Sequence, residues 1–326
     1  MKKIIIIAII LLTFSNIKAQ DGQLSYIYAS PLSINPAYTG YTSGAKWRAM
    51  TTMRKQWSSF LYKGISNYAF SFDAPFTDQN IALGVLFNGN SASNGAINSI
   101  SGALSFSYST LLQYHSKTKL AFGLQAGFDQ KSFDPTQLTF DNQYVPGIGF
   151  NPNLDNREHF SKTSKMYPDF SFGTLLYTQK TRKKYFYPWV GIAAYHLTEP
   201  NEAFYSSGES KLPRKYILTL GAKILSSDIF SISPQILAVR QANIMQVNAG
   251  GTILLDFNQT TALSFGAFYR TSDAAIAMLG LDYEKFSLQF VYDFTTSSLS
   301  SVTQNFGGYE ITLKYEMKTE KRYRPY

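Results

Sequence analysis

From Tyr309 to Lys318 hydrophobic and polar residues take turns: Tyr309, Ile311, Leu313, Tyr315 and Met317 interleave with Glu310, Thr312, Lys314, Glu316 and Lys318. A period of two over ten residues predicts a β-strand with one apolar and one wet face. The same grammar recurs where Phe286, Leu288, Phe290, Tyr292 and Phe294 alternate with Ser287, Gln289, Val291, Asp293 and Thr295. It returns in Leu120 to Asp129, in Tyr68 to Asp73 and in Ala262 to Tyr269, with small or polar residues on the second face. Val291 and Phe268 interrupt that second face, as side chains packed in a filled interior do.

Extended along the chain, this pattern predicts strands near 46–56, 64–75, 79–90, 98–114, 118–131, 167–178, 185–196, 214–225, 228–240, 243–256, 259–270, 275–283, 285–295 and 307–317. Fourteen is an even number, as expected for a single-chain bacterial transmembrane barrel. With the N-terminus on the periplasmic side, the connections at 57–63, 89–97, 132–166, 197–213, 241–242, 271–274 and 296–306 face outward. Those at 76–78, 115–117, 179–184, 226–227, 257–258 and Glu284 face the periplasm. The longest connections all fall in the outward set, which matches the asymmetry of outer-membrane barrels. Strands of about ten residues suit a tilted crossing of the bilayer better than the shorter strands of a soluble sandwich. The fold class is therefore all-β, a transmembrane antiparallel β-barrel of about fourteen strands in the outer membrane. Trp47, Trp57, Tyr187, Trp189 and Tyr292, near strand ends, are candidates for interfacial girdles or lipid-facing strand positions.

Two segments lack the alternation. Residues 20–45 contain Pro31 and Pro36 and are expected to fold into the lumen as a plug-like piece or to lie beneath the barrel. The loop from Ser132 to Met166 is rich in Asn, Asp, Pro and Gly and is expected to cap the barrel outside. The first residues follow the order of a secretory signal peptide: Lys2 and Lys3, an apolar run from Ile4 to Phe14, then a polar step to Ala19. That run is too short for a transmembrane helix, which needs roughly 20 residues. The expected organisation is a signal peptide over 1–19, the irregular segment over 20–45, the barrel over 46–317 and a periplasmic tail over 318–326.

Composition adds three constraints. Phe, Tyr and Trp number 25, 23 and 3, and aromatic richness without an apolar helical span fits strands that are greasy on one face only. Cysteine is absent, which removes lipid attachment at cysteine, disulfides, thiolate metal sites and thiol nucleophiles. The formal charge of +9 falls to +6 when Lys2, Lys3 and Lys18 leave with the signal. Lys180, Arg182, Lys183 and Lys184 form the one compact basic run, in a periplasmic turn, where solvated charge explains it as well as a docking patch does. Nucleic acid is no partner for an exported barrel.

No constellation reads as catalytic. His115, His159 and His196 fall in separate turns or strand ends, on different sides of the membrane, so together they ligate no single metal. Asp155, Glu158, His159 and Ser161 read as solvated loop. Gly147-Ile148-Gly149-Phe150 resembles a piece of a phosphate-binding loop, but without a following helix it reads as a flexible loop. No enzyme activity, cofactor or metal is assigned.

Several segments in a fixed order resemble the PorP/SprF family of type IX secretion membrane proteins of the Bacteroidota. These are Asn35-Pro36-Ala37, Arg54-Lys55-Gln56-Trp57, Ser71-Phe72-Asp73-Ala74-Pro75, Pro168-Asp169-Phe170, His196-Leu197-Thr198-Glu199-Pro200, Ser233-Pro234, Phe268-Tyr269-Arg270, Tyr292-Asp293-Phe294 and Gly308-Tyr309-Glu310-Ile311. Tyr309 stands where members commonly carry His. The resemblance implies a barrel of the type IX secretion and gliding machinery that binds a large secreted surface protein, an adhesin, through its C-terminal domain. Other secretion components and outer-membrane lipid are the further partners it implies. Asn35, Pro36, Arg54, Gln56, Trp57, Asp73, Arg270 and Asp293 are the motif matches or candidate partner contacts. An arginine in a barrel wall is expected to pair with an acidic lumen residue, for Arg54 either Asp73 or Asp293. The competing reading is a passive pore or fatty-acid-transporter-like channel for small hydrophobic compounds.

Overall fold

The computed structural model describes residues 21–318, apart from 27, 43, 59–63, 77–78, 114–116, 156, 159, 161, 180–184, 206–207, 228 and 259. The expected signal peptide and the tail beyond Lys318 lie outside the described residues. So do His115, His159, Ser161 and the basic run at Lys180, Arg182, Lys183 and Lys184.

Alternation becomes a wall because each strand has a dry and a wet face to satisfy at once. The strands are β1 (Ala45–Gln56), β2 (Ile65–Phe76), β3 (Ile81–Ala92), β4 (Ile97–Gln113) and β5 (Thr118–Phe133). After the long loop come β8 (Ser164–Thr178), β9 (Phe186–Tyr195), β10 (Lys215–Leu225), β11 (Phe230–Gln241) and β12 (Ile244–Asp256). The wall ends with β13 (Thr261–Arg270), β14 (Ala274–Tyr283), β15 (Phe286–Thr295) and β16 (Phe306–Lys318). Each pairs antiparallel with its neighbours, and β1 pairs with β16, so fourteen strands close a barrel. Closure satisfies every edge, which a bilayer demands because it offers no water to an unpaired peptide group. Among the described residues no helix is long and apolar enough to cross a membrane.

The loop between β5 and β8 is more ordered than its composition suggests. Tyr144–Val145 (β6) pairs with Gly149–Phe150 (β7), so Gly147 and Gly149, both with positive φ, shape a small hairpin rather than a flexible loop.

Outward positions carry the apolar series: Phe70, Phe72, Phe122, Leu124, Phe290, Ile311 and Leu313 are all exposed. Their in-between partners, Ser71, Asp73, Gln125, Asp293, Glu310 and Thr312, are buried. Trp47 lies on the outer face, stacked on Tyr315 at 5.1 Å. Tyr187 and Trp189 are not girdle residues: Tyr187 is buried, and Trp189 meets Tyr28 inside the barrel. Pro188, Val190 and Ile192 make the other face of β9 apolar too, so alternation there cannot tell inside from outside.

What fills the interior is the chain before β1. Residues 21–44 start beside His196, Lys215 and Gln241, at the long-loop end, and reach Ala45 at the short-turn end. By the usual asymmetry of such barrels the long-loop end faces outside. Two turns of 3-10 helix, Pro31–Ser33 and Pro36–Tyr38, each begin on a proline, whose fixed φ suits a first helical position. Tyr26, Tyr28, Tyr38 and Tyr41 then build an aromatic column with Phe268, Trp189 and Tyr177. Val291 and Phe268, the two apolar interruptions of the wet face, pack against Tyr26 and Tyr28.

Candidate functional site

The interior holds three groups of charged residues and a neutral polar turn at mid-height, each using side chains from the barrel wall to hold the segment 21–44. The first lies at the short-turn end. Arg48 of β1 grips Asp73 of β2 with two parallel bonds, Nε to Oδ1 at 2.9 Å and Nη2 to Oδ2 at 3.0 Å. Both residues are buried. Arg48 also donates to the carbonyls of Tyr41 and Tyr38, and Asp73 accepts from the Gly40 amide at 2.7 Å. This is the bidentate geometry that makes arginine the stronger partner of a carboxylate.

At mid-height the Asn35-Pro36-Ala37 turn sits against β5, β8 and β9. Asn35 accepts from the Ala37 amide through Oδ1 at 2.8 Å and donates through Nδ2 to the carbonyls of Thr174 and Ile192. The wall makes room with glycine: a Cβ on Gly173 would stand 2.0 Å from Asn35 Oδ1, and one on Gly123 2.2 Å from the Ala37 nitrogen. Tyr38 Oη shares a hydrogen bond with Thr219, and Thr39 with Ser105.

The second charged group is a buried network. Asp293 Oδ2 accepts from Arg54 Nη2 at 2.8 Å, from Arg270 Nη2 at 2.7 Å and from Ser25 Oγ at 2.7 Å. Arg54 reaches further to Ser25 Oγ, the Gln23 carbonyl and Gln56 Oε1, and Arg270 pairs with Asp273. Glu310 of β16 accepts the amides of Ser25 and Tyr26. Asp293 Oδ1 and Arg270 Nη1 have no hydrogen-bond partner. Of the two acids open to Arg54 it takes Asp293, and Asp73 goes to Arg48.

The third group lies near the long-loop mouth. His196, directly after β9, places Nε2 2.8 Å from Asp21 Oδ2 and Nδ1 3.1 Å from Asp169 Oδ2. Lys215 contacts the same Asp21 oxygen at 2.7 Å. Asp129 of β5 completes the group, its ligand atom within 4.8 Å of those of Asp169 and His196. Burial alone would lower the His196 pKa, but hydrogen bonds to Asp169 and Asp21 outweigh it and hold the ring at about 9. Burial likewise works to raise Asp21, yet Lys215 and His196 keep its carboxyl well below the usual carboxylate range.

These residues border a cavity of about 710 Å³. Asn67, Asn88, Ser99 and Ser101 from β2, β3 and β4 give it a neutral polar wall, and Asp129, Asp169, His196 and Lys215 a charged one. Ile34 and Leu86 lie deeper, while Leu138, Phe160, Phe204 and Leu212 come from the outer loops. Lys131 of β5 is paired with Glu202 of an outer loop, and Phe133 packs on Phe160 and Phe204.

Of the sequence-selected residues, Arg54, Gln56, Arg270 and Asp293 meet in one network, Asn35 and Pro36 form the mid-height turn, and Asp73 belongs to the other clasp. Trp57 lies at the barrel rim, where its amide bonds the Gly307 carbonyl. Ser25, Arg48, Glu310, Asp21 and Asp129 were not selected. Inward position on a strand was the available signal for Arg48, Glu310 and Asp129, whereas Ser25 and Asp21 lie in a segment without period.

The family model described as Type IX secretion system membrane protein PorP/SprF matches residues 16–315. No curated protein matches. Among solved structures, the Pseudomonas putida toluene transporter TodX is 9% identical, covering 94% of this chain and 100% of its own, with a TM-score of 0.51. A deltaS2S3 mutant of the TodX monoaromatic hydrocarbon channel is 11% identical, covering 91% and 97%, with a TM-score of 0.52. At such identities the likeness is one of fold, an outer-membrane barrel.

Proposed function

This chain belongs to the PorP/SprF family of type IX secretion system membrane proteins, and from that premise we propose that it is the outer-membrane seat of one secreted surface protein, which it helps export or retain by binding that protein's C-terminal domain. One observation carries the reading: the lumen is filled from the short-turn end up to mid-height, while a cavity of about 710 Å³ lies toward the long loops. Such a barrel receives a protein from outside and passes nothing through. The segment 21–44 acts as a plug, and the outer loops with the mixed polar and apolar cavity wall supply the contact surface. In this reading the barrel works by binding and performs no covalent step, and a gliding adhesin is the kind of cargo it holds.

Purification of a tagged copy from mild-detergent outer membranes, followed by mass spectrometry, tests the proposal. Recovery of one large exported protein or its C-terminal domain is the expected result, and deletion of the barrel is expected to abolish surface display of that protein alone. A barrel that comes out by itself, with surface display intact after deletion, would overturn it.

A second reading, a channel for small hydrophobic compounds, draws support from the aromatic column of Tyr26, Tyr28, Tyr38 and Trp189 and from the hydrocarbon channels that share the fold. Against it, Leu32, Tyr38 and Leu175 are completely buried at mid-height, where the lumenal segment packs on the wall. Uptake of an aromatic hydrocarbon that is lost on deletion would favour the channel.

A further inference from the structure

We propose that Asp129, Asp169 and His196 form a binding site for a divalent transition-metal ion of the zinc or manganese class, set in the cavity wall. The three come from neighbouring parts of the wall, β5, β8 and the residue after β9, and each offers a ligand atom within 4.8 Å of the other two. Side-chain rotation closes that spread around an ion whose bonds are about 2.0–2.2 Å long. One imidazole and two carboxylates, with no sulfur, suit zinc or manganese, whereas calcium asks for six to eight oxygens.

Two further observations point to a ligand rather than to a self-contained ion pair. Asp129 and Asp169 each leave one buried oxygen without a hydrogen bond, Asp129 Oδ2 and Asp169 Oδ1, beside the His196 Nδ1 that meets Asp169 Oδ2 at 3.1 Å. His196 itself is only 6% exposed. A proton on Nδ1 answers Asp169 Oδ2 at 3.1 Å, and Asp129 Oδ2 then remains without a hydrogen bond. The other ring nitrogen is already oriented, since Nε2 meets Asp21 Oδ2 at 2.8 Å and Asp21 is fixed by Lys215. A carboxylate behind the remote nitrogen of a ligating histidine is the usual support of a metal-bound imidazole, fixing its tautomer and its direction. The cavity gives the ion room for further ligands from water or from a bound partner. The site would also join the outer start of the lumenal segment to β5 and β8 through His196 and Asp21, and it stands whether or not a secreted protein is the partner.

The test uses the full barrel in detergent, stripped with a chelator and shown to be folded by heat-modifiable migration on a gel. Calorimetric titration with zinc chloride and then manganese chloride, with metal content measured by mass spectrometry, is expected to give one ion per chain. Asp129→Asn and Asp169→Asn are expected to weaken binding at least tenfold, and Asp21→Asn, which touches only the supporting carboxylate, about 10–100-fold. Absence of saturable binding of either metal by the folded wild-type barrel would overturn the proposal. So would binding that Asp129→Asn and Asp169→Asn, both folded, leave unchanged.

Discussion

Arg48 and Arg54 face the same interior from the same strand, yet they sit in two different kinds of place. Arg48 and Asp73 make a closed, two-sided clasp whose remaining contacts are backbone groups of the segment it holds. Arg54 belongs to a network in which one carboxylate oxygen serves two guanidinium groups and a serine, while its other oxygen and one arginine nitrogen go unanswered. A clasp is complete in itself, and a shared carboxylate is a point on which several elements depend. The short-turn end thus carries a charged pair that is answered on both sides, and the long-loop end a network with two polar atoms left unanswered.

The largest effect is therefore expected at Asp293. Asp293→Asn leaves Arg54 and Arg270 buried without a full counter-charge, and removal of one partner from a buried pair costs about 3–5 kcal/mol. With two pairs affected, the barrel is expected to lose its heat-resistant folded band on a gel, or to fall steeply in denaturant midpoint.

The next test turns on replacement rather than removal. Arg48→Ala is expected to cost about 3–5 kcal/mol, because it strands Asp73, whereas the double change Arg48→Met with Asp73→Leu is expected to recover most of that loss. The matching double change Arg54→Met with Asp293→Leu leaves Arg270 behind and is expected to stay destabilised. Equal recovery at both ends, measured by unfolding in lipid vesicles, would break the distinction.

Smaller effects belong to mid-height. Gly173→Ala drives a methyl group into Asn35 and is expected to cost about 1–3 kcal/mol, as overpacking does. Gly89→Ala, whose new methyl would find its nearest neighbour 3.8 Å away in the Tyr68 ring, is expected to stay within about 0.5 kcal/mol of wild type. The least effect on stability is expected at the cavity wall, where Ser99→Trp fills space near the mouth. It is expected to leave the denaturant midpoint almost unchanged and to abolish recovery of the secreted partner in a pull-down.

The wall was readable from sequence because lipid on one side and a polar lumen on the other impose a period of two, and strands such as Phe286–Thr295 and Phe306–Lys318 keep it. Strand ends moved by no more than three residues, as at 167–178, where β8 starts at Ser164. Residues 21–44 resisted because their shape is set by contacts far away along the chain. Asn35 turns where it does because glycines on β5 and β8 leave a groove, and nothing in its own neighbourhood announces that. The choice of Asp293 by Arg54 was equally out of reach, since Asp73 and Asp293 both sit inward and only the closing of the barrel decides which is near. Tyr187 and Trp189 misled because β9 is apolar on both faces. His196 was discounted by asking whether three histidines could meet, when one histidine and two aspartates do.

The path of the segment 21–44 bears on the order in which the molecule is built. Ser25 and Tyr26 donate their amides to Glu310 on β16, and Ser25 receives Arg54 from β1, so the segment bridges from inside the very seam at which the first and last strands meet. Those partners are separated by up to 285 residues of chain. Contacts of that span cost loop entropy before they return anything, and they form late in folding. A finished cylinder would have to be threaded, whereas an open sheet curling around the segment needs no threading. The seam is therefore expected to close last, with residues 21–44 serving as the template on which β1 finds β16.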